Sequence, residues 1–417
     1  MEESKKLPVA TLRAVKVFLL ATLDTKGPEA KYVRDKLMSE GVEVALVDTG
    51  CLGNAKVKAD IPREEVFQAA GVTLEEMQKQ GERGVAVNAA ARGATALVES
   101  SYREGELMGV LGLGGSAGTV ISTAAMRALP LGVPKLMIST LASGNVRPFV
   151  GNRDICFANP VADILGLNRI SRITLGNAAA AMAGMVKAAP EESRADSRPQ
   201  IAATMFGVTT PCIEKAREIL DEAGFDVVVF HATGNGGEAM EALIREGIFS
   251  GVLDVTTTEL ADEQIGGILS AGPNRLTAAA EMGVPQVVSV GAMDMVNFGS
   301  RDTVPPAFEE RIFHVHNAEV TLMRTTVDEN ASLGEEIGRK VSAAKGLSEI
   351  HLPRMGVSAI DREGQPFEDE AARGALFDAV RSSAATVPVI EHDSHINDSA
   401  FAEAAAQALL SLIEKQK

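Results

Sequence analysis

The chain has 417 residues and a mass of 43.7 kDa, enough for two ordinary domains, because single cores stop growing near ~250–300 residues. Its 40 basic residues face 56 acidic ones, and a formal charge of −16 argues against a surface for nucleic acid or anionic lipid, while leaving room for a local basic pocket. Cys51, Cys156 and Cys212 form no CxxC pair, so neither a disulfide framework nor a thiolate zinc site is indicated, and a reducing cytoplasm is the expected location.

The first apolar run, residues 15–23, follows basic residues as a signal peptide would. Lys16 interrupts it and "LDTKGPE" is no cleavage site, so it is expected to be a buried strand. No stretch approaches the ~20 apolar residues needed to span a bilayer, and a soluble protein without membrane contact is expected. "VKVFLLATL", the helical "GPEAKYVRDKLMSEG" and "VEVALVDTG" then make one strand–helix–strand unit. Gly41 suits the left-handed position that closes its helix.

Further on, "AARGAT" places Arg92 after an apolar run, on an expected loop. "GVLGLGGSAGT", from Gly109, is an apolar strand running into glycines and then a helix near Thr119. A loop so poor in side chains offers a ligand little but backbone N–H groups at a helix N-terminus, which is the chemistry of phosphate binding. Gly112, Gly114 and Ala117 also fit the loose G-x-G-x-x-G/A spacing of dinucleotide sites. However, the loop is not in the first strand–helix unit, and "PKLMIST" after it supplies no acidic residue for a ribose. Tight turning and close packing are the alternative reason for these glycines. No G-x-x-x-x-G-K-[ST] run or G-x-S-x-G elbow occurs.

Because ligands in open α/β sheets sit at the carboxyl ends of the strands, several loops are expected on one rim. They carry Asp24, Thr25 and Lys26; Asp48 and Thr49; Arg92; and the run Gly114, Gly115, Ser116, Ala117 and Gly118. A lysine, an arginine and free N–H groups hold phosphate, and a carboxylate suits a cation or a ribose.

The polar, charged stretch 188–200 is the expected linker between residues 1–187, a nucleotide-binding subdomain, and residues 201–417, a second α/β subdomain. The second half echoes the first. "IAATMFGVTTPCIEKAREILDEAGFDVVVFHATGNGG" repeats the opening plan, with Gly224 in the place of Gly41, and "GVPQVVSVG" parallels "GVPKLMIST". The expected fold is therefore α/β, two Rossmann-like subdomains with parallel sheets related by internal duplication, a chance likeness of α/β segments being the alternative. Loops with His231, Asp254, Glu259, Asn274, Arg275, Asp294 and Asn297 suit a polar small molecule or a divalent cation. His314 and His316, and His392, His395 and Asp398, have metal-site patterns, although a structural role is commoner for any single histidine. Cys212 opens a helix after Pro211 and is not taken as a nucleophile.

The strings "ATLDTKG", "GLGGSAGT", "ISTLASGNVRPFVG", "VFHATGNGG", "GVLDVTTTEL", "SAGPNRL", "GAMDMVNFG", "HNAEVTLMRTT" and "HIND" run in order along the chain. Together they resemble the uncharacterised family typified by the ATP-binding N-terminal domain of the tomato mosaic virus resistance protein, over essentially the whole length. The resemblance implies a dimeric two-subdomain protein with ATP, and Mg²⁺ as its companion ion, held against Asp24, Thr25, Lys26, Thr49, Arg92 and the loop 114–118. In the plant members a further barrel domain follows, so activity needing that domain is not expected here, nor is binding of a viral replication protein. The expected function is an ATP-dependent enzyme on a small polar metabolite held around Glu259, Arg275 and Asn297. The alternatives are a regulatory or scaffolding module in which ATP stabilises a dimer, and a metal-dependent isomerase or hydrolase using the second half.

Overall fold

A computed structural model of the protein describes residues 15–188 and 198–417. They form two compact units that divide at residues 192 and 193. The expected linker, 188–200, lies outside the described residues except at its ends.

The first unit runs β1 (Lys16–Ala21), α1 (Leu23–Ser39), β2 (Val44–Asp48), α2 (Arg63–Ala69), α3 (Leu74–Gln80), α4 (Arg83–Arg103), β3 (Leu107–Gly114), α5 (Ser116–Arg127), β4 (Lys135–Ser139), α6 (Arg147–Val150), β5 (Cys156–Ala158) and α7 (Arg169–Lys187). All five strands are parallel, in the order β2-β1-β3-β4-β5. Such a sheet is covered on both faces, which is why its strands read as unbroken apolar runs. Leu19, Leu46 and Leu111 sit side by side and pack under α1 and α7, while Leu20, Val47 and Val110 pack under α2, α4 and α5. Each leucine so buried contributes about 1.5–3 kcal/mol. Gly41 closes α1 at φ +80°, as its sequence position predicts.

The second unit runs β6 (Gln200–Met205), α8 (Thr210–Glu222), β7 (Asp226–His231), α9 (Asn235–Arg245), β8 (Phe249–Thr256), α10 (Glu259–Ile265), α11 (Ala278–Met282), β9 (Gln286–Gly291), β10 (Met295–Phe298), β11 (Phe313–Asn317), β12 (Val320–Arg324), α12 (Val327–Ser342), β13 (Ser348–Pro353), α13 (Glu370–Ser383), β14 (Val389–His392) and α14 (Ser399–Gln416). Its main sheet is parallel, ordered β14-β13-β9-β8-β6-β7. Helices α8 and α14 cover one face, and α9, α11, α12 and α13 pack in clusters on the other side of the unit. An antiparallel sheet, β10-β12-β11, is added where the sequence reading expected loops. Both units are thus Rossmann-like parallel-sheet domains, and no helix among the described residues is long and apolar enough to cross a membrane.

Candidate functional site

In the first unit the chain leaves β1 for β2 on one side and later returns as β3 on the other. That reversal opens a crevice at the carboxyl ends of β1 and β3, the place where doubly wound sheets bind ligands. A cleft of about 260 Å³ lies there. One wall is the turn from β1 into α1, with Thr22, Asp24, Thr25 and Lys26; the other is Gly115, Ser116, Ala117 and Gly118 at the start of α5; Cys51, Leu52 and Arg83 complete it.

Pro28 has no N–H and crowds the carbonyl one turn earlier, so α1 is kinked at Lys26 (φ −117°, ψ 17°). Next to it, a side chain on Gly27 would meet the Lys56 Cβ at 3.0 Å, which fixes that position as glycine. Asp24 is 9% exposed; its Oδ2 accepts from the N–H groups of Leu52 (3.2 Å) and Gly53 (3.1 Å), while its buried Oδ1 has no partner. Thr22 and Thr25 share a hydroxyl hydrogen bond of 2.8 Å. The Lys26 ammonium donates to the Ile164 carbonyl and stands 4.0 Å from Asp163.

Helix α5 has no side-chain cap, so the N–H groups of its first turn face the cleft without an intrahelical partner. Its glycines do two different jobs. A Cβ on Gly112 would lie 2.5 Å from the Ser122 Cβ, and one on Gly114 would lie 2.8 Å from the Gly118 Cα, so these two let α5 press against β3. Gly115 has nothing nearer than the Thr140 Oγ1 at 3.6 Å, and it lines the cleft.

Other expected residues lie elsewhere. Asp48 is buried, and its Oδ1 accepts from the N–H groups of Leu23 (3.0 Å) and Gly50 (2.8 Å), tying the ends of β1 and β2 together. Burial raises its pKa, against the pull of those two hydrogen bonds and of Arg63. It lines a neighbouring cleft, not this one. Thr49 is fully buried and its hydroxyl has no partner. Gly114 is the last residue of β3, behind the cleft wall. Arg92 is not on a loop: it is exposed in the middle of α4, and Arg83, at the start of the same helix, is the arginine of the cleft. Sequence reasoning missed Arg83. Its signal was the preceding Gly81, which at φ +72° ends α3 and so marks a new helix start. Burial pushes the Cys51 thiol up to about 11, so it is an apolar wall and not a thiolate.

The three second-half residues expected to act on a metabolite, Glu259, Arg275 and Asn297, are buried and hydrogen-bonded within the second unit. Arg275 is fully enclosed: its fork meets Asp254 at 2.5 and 2.7 Å, its Nε meets Glu259 at 2.7 Å, and Glu241 is 3.5 Å away. Glu259 spends its other oxygen on the N–H groups of Gly234 (2.6 Å) and Gly237 (3.0 Å). Burial raises the Glu259 pKa, and Arg275 opposes it. Asn297 lies inside β10 and donates to Asp262 from its N–H (3.0 Å) and its amide (2.6 Å). A buried arginine must be paired, and here the acids that could have met a ligand are used to pair it. The histidines do not gather either. His351 bridges Glu349 and His392 at 3.1 Å each, the His395 Nε2 donates to the Ser358 carbonyl at 2.8 Å while its Nδ1 accepts from the Asn397 N–H at 3.1 Å, and no group of three His, Cys, Asp or Glu side chains among the described residues could hold a metal. Cys212 is fully buried and its thiol is pushed up to about 12.

Two family descriptions cover the chain almost end to end. Residues 15–191 match the N-terminal domain, and residues 198–413 the C-terminal domain, of "Uncharacterised protein family (UPF0261)". A UPF0261 protein of Clostridium tetani is 47% identical over 402 residues, 96% of this chain and 99% of its own. One from Mesorhizobium japonicum is 42% identical over 94% of this chain and 98% of its own. The tomato ToMV resistance protein Tm-1(GCR237) is 37% identical over 99% of this chain but 57% of its own length. Among solved structures, the thioesterase domain from the curacin biosynthetic pathway aligns over 52% of this chain and 91% of its own at 9% identity, with a TM-score of 0.26. On two matched domains and relatives that align over nearly their whole length, the chain belongs to the UPF0261 family.

Proposed function

We propose that the first unit binds a nucleotide, ATP being the one its family resemblance implies, with the phosphate chain against the start of α5. The observation that carries this reading is the uncapped helix start behind Gly115, whose open side lets a phosphate reach the backbone, facing Lys26 and Arg83 across one cleft. The residues present fit a nucleotide with a magnesium ion: Asp24 Oδ1 is a buried carboxylate oxygen without a partner on the cleft wall, as a hydrated cation beside phosphate requires. The pairing of Glu259, Arg275 and Asn297 inside the second unit removes the seats assigned to a metabolite and favours binding without turnover over an ATP-dependent enzyme.

Isothermal titration with ATP and Mg²⁺, beside ADP, NAD and phosphate, tests the reading. Selective ATP binding is expected. Arg83→Ala should weaken it about 10- to 100-fold if the guanidinium bonds phosphate, and Arg92→Ala should leave it unchanged. Binding of NAD alone, or equal loss in the two variants, would sink the proposal.

A further inference from the structure

Beside the first cleft lies a second, of about 400 Å³, lined among others by Asp48, Lys56, Lys58, Arg63 and Glu64. Three cations face two carboxylates there, in a protein whose net charge is −16. Arg63 is partly spent, on the Gly53 carbonyl and on Glu64 at 3.6 Å. Lys56 and Lys58 have neither an ion pair nor a side-chain hydrogen bond among the described residues.

The segment that carries them is built into the unit. The Lys56 N–H donates to the Leu23 carbonyl at 3.0 Å, and Gly27 makes room for the Lys56 Cβ. At the other end, Asp60 accepts from the Leu46 N–H at 2.8 Å, and Ile61 bridges to Val47 beside β2. Two cations are thus held over a cleft by contacts at both ends of their loop, and among the described residues neither forms an ion pair. Asp24, which lines the first cleft, and Asp48, which lines the second, each bring an oxygen to 3.0 Å from where a side chain on Gly50 would begin.

We propose that the second cleft seats a small dianion, carboxylate- or phosphate-bearing, held by Lys56, Lys58 and Arg63 next to the nucleotide cleft. This goes beyond the nucleotide reading and does not depend on it. The test is titration of the full chain with malonate and, separately, with inorganic phosphate, at one low ionic strength. The Lys56→Gln, Lys58→Gln double variant alters two exposed side chains and should fold normally. It is expected to lose at least tenfold in affinity for the anion that binds, and Arg92→Gln, exposed in the middle of α4 and in neither cleft, is expected to lose nothing. Preference for malonate or for phosphate identifies which form of the dianion fits. No anion binding by the wild type, an unchanged affinity in the lysine double variant, or an equal loss in Arg92→Gln would each overturn the proposal. ATP titrated into the same samples reads the first cleft separately: malonate bound with no ATP bound would refute the nucleotide reading alone.

Discussion

Asp262 shows how a carboxylate beside a candidate residue, Asn297, is held inside the fold by hydrogen bonds. It is buried under Asn297, and burial lifts its pKa from 3.8 to about 7, against the Asn297 hydrogen bonds that lower it. An acid whose pKa rises on folding adds stability that is complete below the unfolded value and is lost as pH climbs through the folded one. The window is therefore from about pH 4 to about pH 7, with stability falling upward. Asp294, also buried and raised to about 7, with Asp361 adding to the effect, falls in the same direction. Denaturant midpoints followed across that window should drop less in Asp262→Asn than in the wild type; parallel curves would show that Asp262 does not titrate there. None of this was legible from the residue types. Asp254, Glu259, Arg275 and Asn297 looked like ligand groups because polar residues after apolar runs usually face solvent, and only the fold reveals that they face one another.

At the scale of elements, periodicity carried most of the information. The alternating apolar runs and helices predicted the parallel sheets, and the strand ends predicted the rim with Asp24, Thr25, Lys26 and Gly115–Gly118. Helix α4 was the main loss. Its alanine-rich middle reads as an apolar run followed by a loop, but alanine is the strongest helix former, and the helix continues through Arg92. The short helices α2 and α3 and the antiparallel sheet also escaped, being too short for a repeating pattern; α3 buries no residue and starts on the capping box of Thr73 and Glu76. The packing of α5 on β3 makes its glycines separable by experiment. Gly112→Ala drives a methyl into the Ser122 Cβ and should cost about 1–3 kcal/mol. Gly115→Ala meets open space at an ordinary φ of −87° and should change stability by no more than about 0.5 kcal/mol. Thermal unfolding of the two variants checks this, and equal losses would mean that α5 does not rest on β3 as described.

For the molecule as a whole, composition argued against a nucleic-acid surface but could not locate the cations that matter, because a charge of −16 is a sum and Lys56, Lys58, Arg63 and Arg83 are a local exception to it. The carboxylate of Asp48 sits between those cations and the ends of β1 and β2, and burial already holds its pKa high. Bringing a further negative charge beside it favours its neutral form again, with Asp24 pushing the same way and Arg63 resisting. Anion capture in the second cleft should therefore draw a proton out of solution. The heat of binding measured in two buffers of different ionisation enthalpy should then differ, by an amount that shrinks in Asp48→Asn; identical heats in the wild type would mean that the anion arrives without its proton. On that footing, an anion entering the second cleft would bring a proton with it, taken up at Asp48.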